Sequence, residues 1–167
     1  DSLSMKQKYA NEDVISPGTV VISAAANCND ITKVVEPVLQ PNKGSIYYIN
    51  LSQDEFKLGG SSFAQVTNKI GNETPAIKNA GFLKNAFNTI QDLIKSDNIV
   101  AGHDVASGGL ITTLLELCFA NVNIGADLDL SSLNEVDSIK LLFSENAGIV
   151  IQANDDSVIE KILTTNT

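Results

Sequence analysis

The residues whose types and spacing could do chemistry are concentrated in one short stretch, 102–110. Its polar and glycine members are His103, Asp104, Ser107, Gly108 and Gly109. Glycines let the phosphates of a ligand approach the backbone, and the first N–H groups of a following helix attract negative charge. The carboxylate of Asp104 would repel a bare phosphate but could hold a magnesium ion that bridges to one. Spacing alone favours the plainer explanation, a tight strand-to-helix turn, because glycine pairs commonly mark turns.

The elements on either side of this stretch fit both explanations. An apolar run over 98–101 predicts a short buried strand before it, and residues 110–120 have the apolar pattern of a helix. A glycine pair followed by a helix occurs a second time at Gly59-Gly60, where Ser61 is placed as the helix N-cap. A turn plus a cap is again at least as good an explanation as a ligand-binding loop.

Composition and charge exclude several classes of protein. The 167 residues allow one domain with a sizeable core. The formal net charge is -9, with acidic residues spread along the chain, which argues against a surface for nucleic acid or for an anionic membrane. The sequence has no apolar run long enough to span a bilayer and no signal-peptide pattern. We therefore expect neither nucleic acid nor membrane as a partner, and a cytoplasmic location.

The remaining residues with metal or redox chemistry give weak signals. His103 is the only histidine, so a His-rich metal site is not possible. Cys28 and Cys118 lie far apart in elements predicted to be core, which favours reduced packing residues over a disulfide, a zinc site or a nucleophile pair. Asp127 and Asp129 alternate on a predicted strand, and alternate acids are more often the solvated face of a strand than a metal site.

The strand and helix patterns alternate along the chain, which predicts an α/β or α+β layered domain with one sheet of about five strands. Residues 1–18 are interpreted as a connector and residues 19–167 as the domain, and we expect the chain to be a piece of a longer polypeptide. Strands are predicted over 19–25, 45–51, 98–101, 126–130 and 147–153. Helices are predicted over 31–35, 110–120 and 133–143, from Ser61 to Ile70, from Asn79 to Ile94, and from 155–157 onward.

Several segments together resemble a known family. They are Leu58-Gly59-Gly60-Ser61-Ser62-Phe63-Ala64-Gln65, His103-Asp104 with Gly108-Gly109-Leu110, Leu114-Leu115-Glu116 with Phe119-Ala120, and Ser144-Glu145-Asn146 with Gly148-Ile149-Val150-Ile151-Gln152. In this order they resemble the phosphoribosylformylglycinamidine synthase family, and specifically the last domain of the AIR-synthase-like part of its large, single-chain form. The opening residues, Asp1 to Lys6, resemble the segment that closes the preceding domain. The likeness covers nearly the whole chain.

The resemblance implies a fold and an activity. The fold is an α+β, three-layer α/β/α domain with a mixed sheet. The activity is that of an ATP-dependent amidoligase of purine biosynthesis, which converts formylglycinamide ribonucleotide to the amidine with ammonia released from glutamine. ATP activates the amide oxygen and ammonia then displaces phosphate, so the implied cofactors are ATP or ADP with Mg²⁺. The implied partners are an AIR synthase N-terminal-like domain and a glutaminase domain of the same polypeptide, and the fragment alone is expected to be inactive.

The family pattern His-Asp-x-Ser-Asp-Gly-Gly-Leu also implies the site residues. Asp104 matches the magnesium-ligating aspartate, whereas Ala106 replaces the serine that contacts nucleotide and Ser107 replaces the next aspartate. No catalytic residue is assigned in this chain, and His103 is as consistent with a structural role as with a catalytic one. The implied metal ligand is Asp104, and the implied nucleotide-binding residues are Gly59, Gly60, Ser61, Ser107, Gly108 and Gly109. The resemblance further implies that this half of the enzyme serves an auxiliary nucleotide site.

Two other interpretations stay open at this point. The chain could be a non-catalytic domain that supports interdomain packing, with glycine turns that are purely structural. It could also belong to another branch of the same superfamily, such as the selenophosphate synthetases or thiamine-phosphate kinases, although the pairing of Leu-Gly-Gly-Ser with His-Asp argues against those.

Overall fold

A computed structural model describes residues 6–15 and 21–165 of the chain. The chain divides into two compact units, Asp1–Ile31 and Thr32–Thr167. All the candidate site residues named above lie in the second unit.

The first unit contains a short hairpin. Strands β1 (Lys6–Tyr9) and β2 (Glu12–Ile15) pair antiparallel, and their side chains are exposed. This hairpin occupies the described part of the predicted connector, whose residues 1–5 and 16–18 lie outside the described residues.

Two elements predicted between residues 19 and 35 are not found. The strand prediction over 19–25 is wrong for 21–25, where the chain forms no strand and every side chain is exposed, while 19–20 lie outside the described residues. An apolar run becomes a strand only where a neighbouring strand supplies hydrogen bonds, and the pattern alone does not show whether one is present. The helix prediction over 31–35 is also wrong, because Pro37 disfavours the helical conformation at Glu36 and β-branched residues precede it.

The second unit contains the remaining strands and helices. They are β3 (Ile46–Asn50), α1 (Ser62–Val66), α2 (Ala80–Lys95), β4 (Ile99–Asp104), α3 (Gly109–Phe119), a 3-10 helix (Ser131–Leu133), α4 (Ser138–Phe143), β5 (Gly148–Ala153) and α5 (Asp156–Thr165). The predicted strands at 45–51, 98–101 and 147–153 and the helices at 110–120 and after 155 are therefore confirmed, with shifts of a few residues at their ends.

The sheet of the second unit has the order β3-β5-β4, and both pairings are antiparallel. Among the described residues this sheet has three strands rather than about five, and it is antiparallel rather than mixed. The predicted strand over 126–130 is wrong, because these residues form an irregular segment. Its alternating pattern has another cause: Leu128 and Leu130 are half-buried, while Asp127 and Asp129 are exposed.

Two hydrophobic clusters lie on opposite faces of the sheet and produce the three layers. The first cluster joins the sheet to α2 and α5 through Ile90, Leu93, Ile99, Ile151, Ala153 and Ile159. The second joins it to α3 through Leu39, Ala101, Leu110, Leu117 and Val150. Alternate residues of β5 enter the two clusters, as the period of two along a strand requires. The α+β class and the α/β/α layering are therefore confirmed.

A β-bulge in β4 sets which way the end of that strand faces. The pairing with β5 shifts by one residue between Ile99 and Ala101, so Ile99 packs in the first cluster and Ala101 in the second. After the bulge, His103 pairs with Val150, whose side chain lies on the α3 side of the sheet. The extra residue thus directs His103 toward α3, because a one-residue shift exchanges the two faces of a strand.

The predicted helix caps are confirmed where they depend on local chemistry. Ser61 caps α1 and Asn79 caps α2, each by accepting a backbone N–H bond from the first turn. However, α1 ends at Val66 rather than Ile70. The predicted helix over 133–143 is confirmed only for Ser138–Phe143, where Asp137 is the N-cap; residues 134–137 are not helical, and Leu133 ends the 3-10 helix. Within residues 6–15 and 21–165, the helices are too short or too polar to cross a membrane.

The start of α5 is joined to β3 by one carboxylate. Asp156 accepts a bond from the backbone N–H of Ser45 at 2.7 Å and from the hydroxyl of Tyr47 at 3.1 Å. The bond from the Ser45 N–H is the largest cause that lowers the pKa of Asp156. Burial first, and then the bond to Asp156, raise the pKa of Tyr47 to about 12. The helix start predicted near 155–157 is therefore also a tertiary contact.

The central strand generates a prediction about stability. Ile151 is almost completely buried in β5, so Ile151→Ala should lower the free energy of unfolding by about 2–5 kcal/mol through lost burial and a residual cavity. Val122→Ala changes a fully exposed side chain and should stay within about 0.5 kcal/mol of the wild type. Chemical denaturation of the 167-residue chain measures both. Equal effects of the two substitutions would contradict the assignment of the core.

Candidate functional site

The candidate loop, residues 105–108, joins β4 to α3, and Gly108 and Gly109 form its turn. Gly108 has φ +93 and Gly109 has φ +75, values that favour glycine. A Cβ on Gly109 would also lie 2.7 Å from the carbonyl oxygen of Leu142 in α4. The glycine pair therefore lets α3 begin in close contact with the backbone at the end of α4, which is a packing role.

Asp104 ends β4 with its backbone held and its carboxylate in solvent. Its carbonyl oxygen accepts a bond from the hydroxyl of Thr113 at 3.0 Å and lies 2.7 Å from Nδ1 of His103. The other ring nitrogen of His103, Nε2, lies 3.1 Å from a carboxylate oxygen of Glu116 in α3. The Asp104 side chain is nevertheless 76% exposed, although one oxygen lies 3.4 Å from Nδ1 of His103. The backbone of Asp104 is thus held by its neighbours, and its carboxylate is accessible to a ligand.

Ala106 and Ser107 lie on the exposed part of this loop. Val105 N–H donates to the carbonyl oxygen of Gly148 at 2.9 Å, which fixes the loop at its start. Gly109 N–H donates to the carbonyl oxygen of Ala106 at 3.1 Å, which closes the turn. The hydroxyl of Ser107 is therefore at the surface, on the same loop as Asp104.

The second glycine pair has its donors and its hydroxyl engaged within the chain. Gly59 N–H donates to the carbonyl oxygen of Glu73 at 2.8 Å, and a Cβ on Gly59 would lie 2.2 Å from that oxygen. The buried hydroxyl of Ser61 donates to the carbonyl oxygen of Leu58 at 2.7 Å and accepts the N–H of Ala64 at 3.2 Å. Ser61 therefore serves as the cap of α1.

Glu145 brings the two glycine motifs together. Its Oε1 atom accepts the backbone N–H of Ser62 and the backbone N–H of Gly108, both at 2.8 Å. One carboxylate oxygen thus joins the start of α1 to the turn before α3. Sequence reasoning did not assign a role to Glu145, because its partners are 83 and 37 residues away along the chain. Its place in the Ser144-Glu145-Asn146 segment of the resemblance was the available signal.

Asn146 anchors the segment that carries Glu145. Its side chain, which is almost fully buried, donates to the hydroxyl oxygen of Ser52 at 3.0 Å and to the carbonyl oxygen of Glu55 at 3.0 Å. An unsatisfied buried amide is costly, so these bonds fix the backbone of the segment. The position of Glu145 is consequently set by the loop after β3 as well as by its own partners.

The loop after β3 contains a buried ion pair between Asp54 and Lys57. The Asp54 carboxylate is 4% exposed, lies 2.9 Å from Nζ of Lys57 and 3.5 Å from Nζ of Lys78, and accepts the N–H groups of Glu55 and Ala76. The hydrogen bond from Lys57 is the largest cause that lowers the pKa of Asp54 to about 2. These bonds hold the chain that leads into the Gly59-Gly60 turn.

The described residues contain no group of three or more His, Cys, Asp or Glu side chains arranged to hold a metal ion. Asp127 and Asp129 are exposed, as predicted for a solvated face, and the N–H of Ser131 is the largest cause that lowers the pKa of Asp129. Cys28 and Cys118 are both free, but the prediction that Cys28 lies in a core element is wrong, because it is exposed in the first unit.

Residues 49–165 match the family model described as "AIR synthase related protein, C-terminal domain". The chain belongs to this family. Both glycine motifs, Asp104 and Glu145 lie within the matched residues, so the geometry described above is that of an AIR synthase related C-terminal domain.

Curated relatives of this AIR synthase related domain share one name. The chain is 42% identical, over 97% of its length, to "Probable phosphoribosylformylglycinamidine synthase, chloroplastic/mitochondrial" of Arabidopsis thaliana. It is 39% identical, over 95% of its length, to "Probable phosphoribosylformylglycinamidine synthase" of Caenorhabditis elegans. It is 38% identical, over 96% of its length, to "Phosphoribosylformylglycinamidine synthase" of Homo sapiens. The chain spans 12–13% of the length of these relatives.

The contact between Gly109 and α4 generates a prediction for this domain. Gly109→Ala would combine a positive φ with a backbone clash and should cost about 2 kcal/mol or more of unfolding free energy. Gly125→Ala is the matched control, because its Cβ would meet no atom within 4 Å. It should change stability by less than about 0.5 kcal/mol. Denaturant unfolding of the two variants compares the sites, and a tolerated Gly109→Ala would refute the packing role.

The ion pair of Asp54 predicts how stability depends on pH. Its pKa is about 2 in the folded chain and 3.8 ordinarily, so its stabilising effect is complete above about pH 4 and is lost as the pH falls toward 2. Asp54→Asn should therefore flatten the decline of unfolding free energy between pH 4 and pH 2. Denaturation at a series of pH values measures this slope. A decline between pH 4 and pH 2 that is as steep in Asp54→Asn as in the wild type would contradict the assignment.

Proposed function

We propose that this chain is a domain of a phosphoribosylformylglycinamidine synthase and supplies one wall of a site for nucleotide with magnesium. The observation that carries the proposal is the shared name of three relatives that are 38–42% identical over almost the whole chain. The geometry adds what the domain could contribute, namely the Asp104 carboxylate held in solvent at the end of a buried strand.

The donor set at Asp104 fits magnesium. Mg²⁺ is usually held by one or two carboxylates, with the phosphates of the substrate and water completing its shell. Asp104 would provide one such carboxylate, and any further protein ligands would come from other parts of the polypeptide. When bound, the ion neutralises charge on the phosphates of the nucleotide.

The other candidate residues fall into two groups in this proposal. Ser107 is exposed and could donate its hydroxyl to the nucleotide, one position after Ala106. The glycines at 59, 60, 108 and 109 and the buried Ser61 would shape the two turns, because their N–H groups already bond within the chain. Each glycine would thus act through its lack of a side chain.

The bonds that the glycine N–H groups make within the chain favour a second candidate function. If the turns have no ligand, the chain is a supporting domain whose glycines are purely structural, and the close contact of Gly109 with α4 agrees with this. The two functions differ in what they require of Asp104. An exposed carboxylate that nothing binds can be replaced without consequence, whereas a magnesium ligand cannot.

The wider assignments are also proposals. We propose that the full polypeptide is an ATP-dependent ligase, that it includes an AIR synthase N-terminal-like domain and a glutaminase domain, and that this half serves an auxiliary nucleotide site. The replacement of the nucleotide-contacting serine by Ala106 supports the auxiliary role, since a site that does not turn over tolerates weaker contacts. The cytoplasmic location stays a prediction, because the name of the Arabidopsis relative refers to organelles.

Replacement of Asp104 tests the proposal in the complete synthase polypeptide. Asp104→Asn should reduce affinity for Mg²⁺·ADP by about tenfold or more, because it removes a charged ligand without changing shape. Asp127→Asn, at another exposed acidic residue, should bind like the wild type. Calorimetric titration measures both affinities. Unchanged bound nucleotide together with normal turnover in Asp104→Asn would support the supporting-domain function instead.

A further inference from the structure

The candidate loop is held at both ends by one short segment of the chain. Val105, at its start, donates its N–H to the carbonyl oxygen of Gly148, and Gly108, near its end, donates to the carboxylate of Glu145. The residues between these anchors are Ala106 and Ser107, both exposed. The conformation of the loop that follows Asp104 therefore depends on Glu145 at one of two points.

The same oxygen of Glu145 fixes the loop relative to a second element. Its bond to Ser62 N–H ties the loop to the start of α1, just after the Gly59-Gly60 turn. Hydrogen bonds to an ionised acceptor are stronger than neutral ones, so this shared oxygen is an effective link. The chain next to Glu145 is held independently of this loop, because Asn146 donates to Ser52 and Glu55.

Glu145 also occupies the place of an external anion. The Gly108 N–H is the donor that a phosphate would seek at a glycine turn before a helix, and here an internal carboxylate accepts it. A second negative group at the same donor would be repelled by Glu145. Phosphate is therefore excluded from the turn itself and left to the outer side of the loop, where Asp104 and Ser107 are exposed.

We infer that Glu145 is a positioning residue for the nucleotide site: it fills the anion-binding place between the two glycine turns and fixes the loop that carries Ser107, three residues after Asp104. This inference depends on the proposed function above. It adds that nucleotide binding also requires a residue that does not face the ligand, because Glu145 supplies the hydrogen-bond acceptor for the loop.

The test uses the complete synthase polypeptide with Mg²⁺·ADP as the probe. Glu145→Ala removes the acceptor and should weaken binding by about 10- to 100-fold, the usual effect of losing a group that orients ligand contacts. Glu145→Gln keeps an acceptor oxygen of the same reach and should stay within about threefold of the wild type. Amide hydrogen exchange should show faster exchange at Gly108 and Ser62 in Glu145→Ala and not in Glu145→Gln.

Two control variants separate positioning from general stability. Ile90→Val weakens the core on the opposite face of the sheet and should leave affinity for Mg²⁺·ADP unchanged. Glu12→Ala removes an exposed carboxylate in the hairpin of the first unit and should also bind like the wild type. If Glu145→Ala does not fold, Glu145→Asp takes its place, since its shorter side chain retracts the acceptor and should weaken binding as well.

The outcomes distinguish this inference from the proposed function. A wild-type polypeptide that does not bind Mg²⁺·ADP overturns the proposed function, and this inference with it. Wild-type binding with unchanged affinity in Glu145→Ala overturns the inference alone. An equal loss in Glu145→Gln and Glu145→Ala also overturns it, because an acceptor oxygen would then not be what positions the loop.

Discussion

A single carboxylate oxygen holds the candidate site together. The Oε1 atom of Glu145 accepts N–H bonds from Ser62, the first residue of α1, and from Gly108, the N-cap of α3. Without this acceptor, two part-buried donors near helix starts would need other partners, since the first N–H groups of a helix have none within it. The glycine turns are close to each other because each turn donates to the same atom. The chemistry proposed for the loop is therefore a consequence of an internal anion as much as of the exposed aspartate.

The direction of the neighbouring side chains depends on a different constraint, the bulge in β4. One extra residue between Ile99 and Ala101 exchanges the faces of the strand, so His103 points to α3 and pairs with Glu116. That pairing and the bond from Thr113 hold the backbone of Asp104 from the α3 side. The backbone that carries Asp104 is thus held in place while its carboxylate is 76% exposed, and ligand binding needs both a fixed support and an accessible group.

The sequence predicted the features that depend on neighbouring residues. The caps at Ser61 and Asn79 follow from side chains that bond within the same turn, and α2 and α3 follow from helical periodicity. The strand predictions were wrong over 21–25 and over 126–130, because a strand needs a partner and nothing in an apolar or alternating run specifies one. The role of Glu145 could not be predicted for the same reason. Its two donors lie 83 and 37 residues away along the chain, so only the tertiary fold brings them together.

The hydrogen bonds of the two glycine turns indicate a packing role for the glycines rather than a direct role in phosphate binding. A diglycine turn before a helix suggests a phosphate cradle because free N–H groups are assumed there. In this domain the N–H groups of Gly59, Gly60, Gly108 and Gly109 all have acceptors within the chain. A ligand at this loop must then be held by side chains and a bridging cation. In the proposed site, Asp104 and a magnesium ion would supply the main contact with nucleotide, so the site would tolerate Ala106 where the family pattern has a serine.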